Sequence, residues 1–125
     1  MTDRFSPSDL ELLREAKEVE IETRARPEAP VHRAVVWIVV DDADWVMIRT
    51  WKGPRTRWYR EALAEPDSRL RVGGHALEVR AEPADDQERV EAYNAEVQRK
   101  YARSKSTPYM LEPHVLPTTL ELLPR

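Results

Sequence analysis

The sequence predicts an α+β fold, a six-stranded antiparallel sheet with about three helices. Three observations predict it. Strand-like runs come in pairs across tight turns, at Asp41-Asp42-Ala43-Asp44 and at Gly73-Gly74. Helix signals are inserted between those hairpins, so the sheet is antiparallel and of a kind that can curl into a small barrel. With 125 residues the chain has the length of a single domain, 1–125. A domain of that size buries roughly two-thirds of its unfolded surface.

The elements follow in order. Ser6-Pro7-Ser8-Asp9 places a capping hydroxyl, a proline at the first helical position and an acid in the first turn, which predicts a short helix over 7–16 burying Leu10 and Leu13. Glu18 to Ala25 alternates charged with smaller or apolar residues, the pattern of a strand with one wet face. Pro27 and Pro30 delimit a loop. His32 to Val40 contains seven consecutive apolar residues, mostly β-branched, and reads as a central strand covered on both faces. The Asp-rich turn returns the chain as Trp45-Val46-Met47-Ile48. Thr56 to Glu65 has helical spacing between Trp58 and Ala62 and between Tyr59 and Leu63, and Pro66 stops it. Arg69–Val72 and Ala76–Ala81 alternate around Gly73-Gly74 as a second hairpin. Asp85-Asp86-Gln87-Glu88 starts a third helix through about Ala102, with Val90, Tyr93, Val97 and Tyr101 on one stripe. A proline-punctuated stretch precedes a last strand over 118–123.

Several functions are disfavoured by composition. The chain has no cysteine, so disulfides, thiolate nucleophiles and sulfur-held metals are excluded together. His32, His75 and His114 lack the spacing of a metal site. No phosphate-loop, dinucleotide or nucleophile-elbow motif is present. Nothing suggests export or a membrane span, and a cytoplasmic protein is the expectation.

One segment stands apart. Arg49-Thr50-Trp51-Lys52-Gly53-Pro54-Arg55-Thr56-Arg57-Trp58-Tyr59-Arg60 holds five basic residues and no acid, in a chain of formal net charge -3. Clustered charge repels itself, so such a run in an acidic chain answers either an anionic partner or nearby Glu and Asp of its own chain, as a solvated strand end with surface ion pairs. Trp51 and Trp58 flank the loop, where a flat ring can stack on a planar ligand while cations hold its phosphate or carboxylate. A sequence pI of about 5.7 and the acids Glu18, Glu20 and Glu22 disfavour nucleic acid, which needs a broad basic surface. A small molecule is preferred.

The arrangement of a long hairpin, a basic glycine-containing loop, a Trp opening a helix and a following Leu-Ala-x-Pro resembles the FMN-binding split-barrel superfamily, near its deazaflavin-dependent nitroreductase branch. The closer resemblance is to the bacterial family called domain of unknown function 2255. It is carried by Val46-Met47-Ile48-Arg49-Thr50-Trp51-Lys52-Gly53, Trp58-Tyr59-Arg60-Glu61-Ala62-Leu63, Arg71-Val72-Gly73-Gly74, Lys100-Tyr101 with Pro108-Tyr109, and Thr118 to Arg125. The resemblance implies a split barrel with a flavin or deazaflavin, FMN or F420, against its sheet. By position, Arg49, Thr50, Lys52, Gly53, Arg55 and Arg57 would hold the phosphate with help from Arg33. Trp51 and Trp58 would border the ring. If the protein is an enzyme, the reaction implied is hydride transfer to or from a small organic substrate. Many superfamily members are dimers sharing the cofactor cleft, so a homodimer is allowed. The rival expectation is a barrel without cofactor that serves as a dimeric interaction module.

Overall fold

Ser6 and Asp86 begin two of the helices as the sequence predicts. In the computed structural model, which describes residues 4–125, the Ser6 hydroxyl accepts the Asp9 N–H at 3.1 Å and the Asp86 carboxylate accepts the Arg89 N–H at 3.1 Å. The helices are α1 (Pro7–Glu15), α2 (Arg57–Ala64) and α3 (Gln87–Lys100). The strands are β1 (Val19–Thr23), β2 (His32–Val36), β3 (Ile38–Val40), β4 (Val46–Ile48), β5 (Asp67–Val72), β6 (His75–Pro83) and β7 (Leu120–Pro124). Two short 3-10 turns, Thr107–Leu111 and Leu116–Thr118, occupy the proline-punctuated stretch. Among the described residues no helix is long and apolar enough to cross a membrane.

The sheet therefore has seven strands where the sequence predicts six. The difference lies at Trp37, which divides the expected single strand His32–Val40 into β2 and β3. All pairings are antiparallel, in the order β2-β1-β5-β6-β7-β4-β3. The two outermost strands are thus neighbours in the chain. A flat sheet would hold them about 29 Å apart at the usual strand spacing, whereas two residues of chain reach only about 7 Å. The sheet must curl, and it forms an antiparallel half-barrel. β2 and β3 are its edges, not a central strand. Only the β3 half is covered on both faces, and Val35 on β2 is 60% exposed.

The end of α3 holds this seam. Trp37 stacks on Tyr101 with ring centroids 4.0 Å apart and planes within 5°. The Tyr101 hydroxyl accepts the Ile38 N–H at 3.3 Å and donates to the Lys17 carbonyl at 2.7 Å. The Lys100 ammonium donates to the carbonyls of Ile38 (2.7 Å) and Leu13 (3.2 Å). Burial lowers the Lys100 pKa to about 8, an effect partly offset by Glu96. Inside the curl, Leu13, Ile21, Ile38, Ile48, Leu70, Val79 and Leu120 make the main core. A second core of Val39, Met47, Tyr93, Val97, Tyr101 and Met110 packs α3 onto the opposite face of β3 and β4.

The outer face of β1 is charged, as its alternation predicts. Glu22 is 7% exposed and lies 2.6 Å from Arg71, 2.8 Å from Arg33 and 3.7 Å from Arg69. Burial alone would raise its pKa. The Arg71 hydrogen bond and the fields of the three guanidiniums outweigh this and hold it below the ordinary 4.5. A depressed carboxyl contributes stability above the unfolded pKa and loses it as pH falls through the folded one. Glu22→Gln is therefore expected to lower the urea midpoint at pH 7 by the equivalent of about 1 kcal/mol, since the arginines are half exposed and screened. The gap from the parent should close as the pH falls below about 4.5. A gap independent of pH would show that the carboxylate charge is not what the arginines stabilise.

Candidate functional site

Strand β4 leaves the sheet at Ile48, and the next eight residues, 49–56, connect it to α2. A cleft of about 730 Å³ lies there, within the size range of small-molecule sites. Ala34, Val36 and Trp37 form one wall, from β2 and the seam. Arg49 and Thr50 lie on the floor, and Thr56 and Trp58 come from the start of α2. Ser106, Tyr109 and Met110 close the far side. Glu18, Val35, Trp51 and Lys52 complete the lining. Trp51 and Tyr109 are 53% and 52% exposed, with ring centroids 6.2 Å apart.

The structure brings together five of the nine site residues expected from sequence: Arg49, Thr50, Trp51, Lys52 and Trp58. Gly53, Arg55, Arg57 and Arg33 do not line the cleft. Arg33 lies on the outer face of β2 against Glu22. Arg55 and Arg57 are exposed on the loop and first helical turn. Among the described residues Lys52, Arg55, Arg57 and Arg60 make no ion pair, although most arginines of the sheet do.

The loop is closed on itself. Thr56 donates its hydroxyl proton to the Gly53 carbonyl at 2.9 Å, and the Thr50 and Thr56 hydroxyls lie 2.8 Å apart. The Lys52 N–H donates to Thr50 Oγ1 at 3.2 Å. Gly53 has φ of +96°, and a Cβ there would lie 3.2 Å from the His114 ring. The positive φ favours glycine, and a Cβ would also press on the His114 ring. Because the Thr56 hydroxyl is engaged within the loop, α2 has no side-chain cap and no acid in its first turn. Its first N–H groups lie beside the cleft with the positive end of the helix dipole.

Arg49 behaves differently from the other basic residues. It is 1% exposed, and its guanidinium donates to Thr119 Oγ1 (2.8 Å), Asn94 Oδ1 (2.7 Å) and the carbonyls of Met110 (2.7 Å) and Val90 (3.3 Å). It also lies 4.0 Å from the centroid of the Tyr93 ring. Burial lowers its pKa to about 10, with Tyr93 acting in the opposite sense, so it stays charged at neutral pH. Burial likewise raises the Tyr93 phenol above its ordinary range, against the field of Arg49. Among the described residues the Tyr93 hydroxyl finds no hydrogen-bond partner.

Sequence reasoning missed Trp37, Tyr109, Met110 and Ser106 as lining residues. Trp37 was hidden in an apolar run that reads as core. Tyr109 sits in a stretch without periodicity, and its only signal was the Pro108-Tyr109 pair. None of His32, His75 or His114 lines the cleft, and among the described residues no group of three His, Asp or Glu could hold a metal ion.

Solved structures share this fold. Atu2129 of Agrobacterium tumefaciens str. C58, a protein of unknown function, superposes with a TM-score of 0.70 at 14% identity, over 98% of this chain and 56% of that one. The present chain thus spans little more than half of that protein. HutZ, the heme storage protein of Vibrio cholerae, gives 0.64 at 11% identity, over 98% and 91%. An F420-H2 dependent reductase, FDR-A, gives 0.62 at 14% identity, over 86% and 93%. At these identities the likeness is one of fold, consistent with the split-barrel superfamily that the motifs resemble. No curated protein matches the chain in sequence. A family model described as an uncharacterized protein conserved in bacteria, DUF2255, matches residues 9–122, and the chain belongs to that family.

Proposed function

We propose that the cleft binds a phosphate-bearing flavin or deazaflavin, FMN or F420, with its ring between the aromatic walls and its phosphate at the Lys52–Arg57 loop. The observation that carries this reading is the pairing of a cleft walled by Trp37, Trp51, Trp58 and Tyr109 with the basic segment beside it, whose Lys52, Arg55 and Arg57 make no ion pair among the described residues. The uncapped start of α2 adds N–H donors on the same side. An F420-dependent reductase among the structures of this fold supports it. HutZ is named as a heme protein, but a heme iron here would find no imidazole in the cleft. A flavin ring needs no such ligand.

When bound, the cofactor would supply hydride transfer, and this chain would bind, orient and exclude water. Lys52 in the cleft lining and Arg55 on the adjoining loop would neutralise the phosphate, while Trp58, 8% exposed and edge-on to Tyr59, would border the ring. No cleft residue is assigned as an acid or base. Adding FMN or F420 to the purified protein is expected to quench cofactor fluorescence. In Lys52→Ala/Arg55→Ala the affinity is expected to fall at least tenfold, because charge-assisted hydrogen bonds contribute roughly 1.5–3 kcal/mol each. An unchanged affinity would remove the loop from the site.

The exposure of Val35, Trp51 and Tyr109 at the mouth also suits a second reading, a cofactor-free module whose apolar rim is covered by a second copy. Failure of both cofactors to bind, with a dimer that Trp51→Ala dissociates in sedimentation, would favour it.

A further inference from the structure

Four charged side chains of the described residues are largely buried: Glu22, Arg49, Glu61 and Glu96. Glu22 is met by three arginines, and Arg99 lies against Glu96. Glu61 accepts the Thr23 hydroxyl at 2.9 Å and pairs with His32 Nδ1 at 2.9 Å. Arg49 is the exception. Its four acceptors among the described residues are a hydroxyl, an amide and two carbonyls, and none is a carboxylate. Glu18, the one acid lining the cleft, is exposed, and none of the guanidinium's hydrogen bonds goes to it.

Neutral acceptors satisfy the N–H groups of a guanidinium but leave its full charge. A desolvated charge is ordinarily paired. This one borders the cleft: Arg49, 1% exposed, is one of its lining residues, and its guanidinium bonds the carbonyl of Met110, which lines it too. With little water between, the field reaches the cleft poorly screened. We propose that Arg49 is a specificity-determining residue, whose uncompensated charge makes the cleft floor a seat for a planar ligand carrying negative charge on its ring system as well as on a phosphate. This rests on the reading of the cleft as a ligand site, and it gives Arg49 a part distinct from that of the exposed loop cations.

The matched fluorescent probes 8-anilinonaphthalene-1-sulfonate and its neutral parent N-phenyl-1-naphthylamine test it. At about 0.5 M salt the Debye length is roughly 4 Å, so Lys52, Arg55 and Arg57 are screened while Arg49 is not. The sulfonate is expected to bind the wild-type protein at least tenfold more tightly than the parent under those conditions. The preference is expected to survive in Lys52→Ala/Arg55→Ala and to fall to near unity in Arg49→Gln. A preference absent at high salt, or lost with the loop lysine and arginine, overturns the inference while leaving the ligand site standing. Binding of neither probe overturns both. If Arg49→Gln does not fold, the wild-type protein and the loop variant decide the matter.

Discussion

Replacing Arg49 by methionine is expected to destabilise the protein by about 3–5 kcal/mol, the cost of removing one member of a buried polar cluster and leaving the rest unpaired. The methionine fills much of the volume, so the loss is chiefly polar. Asn94 Oδ1, Thr119 Oγ1 and the carbonyls of Val90 and Met110 each lose a donor. These acceptors belong to α3, to the first 3-10 turn and to the residue before β7, so a single side chain fastens three elements to the end of β4. The expected readout is a lower urea midpoint at unchanged slope, with a Tm lower by roughly 10–20 °C for a domain of this size. Arg49→Lys is expected to recover only a small part, because an ammonium offers its donors from a point and cannot reach four acceptors spread around a planar fork. A loss below about 1 kcal/mol would mean that water replaces the guanidinium, and the cluster would then not be the fastening described.

The same residue shows where sequence reasoning stops. Its membership of the basic segment is legible, and so is the position of that segment between a strand and a helix. That it turns inward is not, because its acceptors lie 41 to 70 positions further on. Arg33 is the converse case. It stands directly across from Glu22 in the strand register, and the outer-face charge ladder takes it away from the loop. The hairpins, both capped helices and the charged face of β1 could be read directly, since period and cap chemistry are local; that Glu22 on this face is buried under three arginines could not. The break at Trp37 could not. A uniformly apolar run carries no record of which face changes sides, and the partner that stabilises the break, Tyr101, lies 63 positions beyond Ile38.

That partner is the subject of the last expectation. Tyr101→Ala is expected to cost about 3–5 kcal/mol, the usual range for truncating a large buried aromatic, and to disturb the cleft as well as the fold. Tyr101 is 9% exposed and packs in the second core, while its ring face is the surface on which Trp37 lies. Removing the ring frees Trp37, a wall of the cleft, from the position that the seam gives it. Tyr101→Phe separates the two contributions. It keeps the stack and loses only the hydroxyl, which holds the Ile38 N–H and the Lys17 carbonyl, so a cost of about 1–2 kcal/mol is expected. Burial raises this phenol to about 12, so the hydroxyl keeps its proton at all ordinary pH and the difference between Tyr101 and Phe should be flat from pH 6 to 9. Probe binding in the cleft should be nearly normal in the Phe variant and weakened in the Ala variant. If both variants bound probes like the wild-type protein, Trp37 would be held without the stack, and the seam would close the sheet without shaping the site.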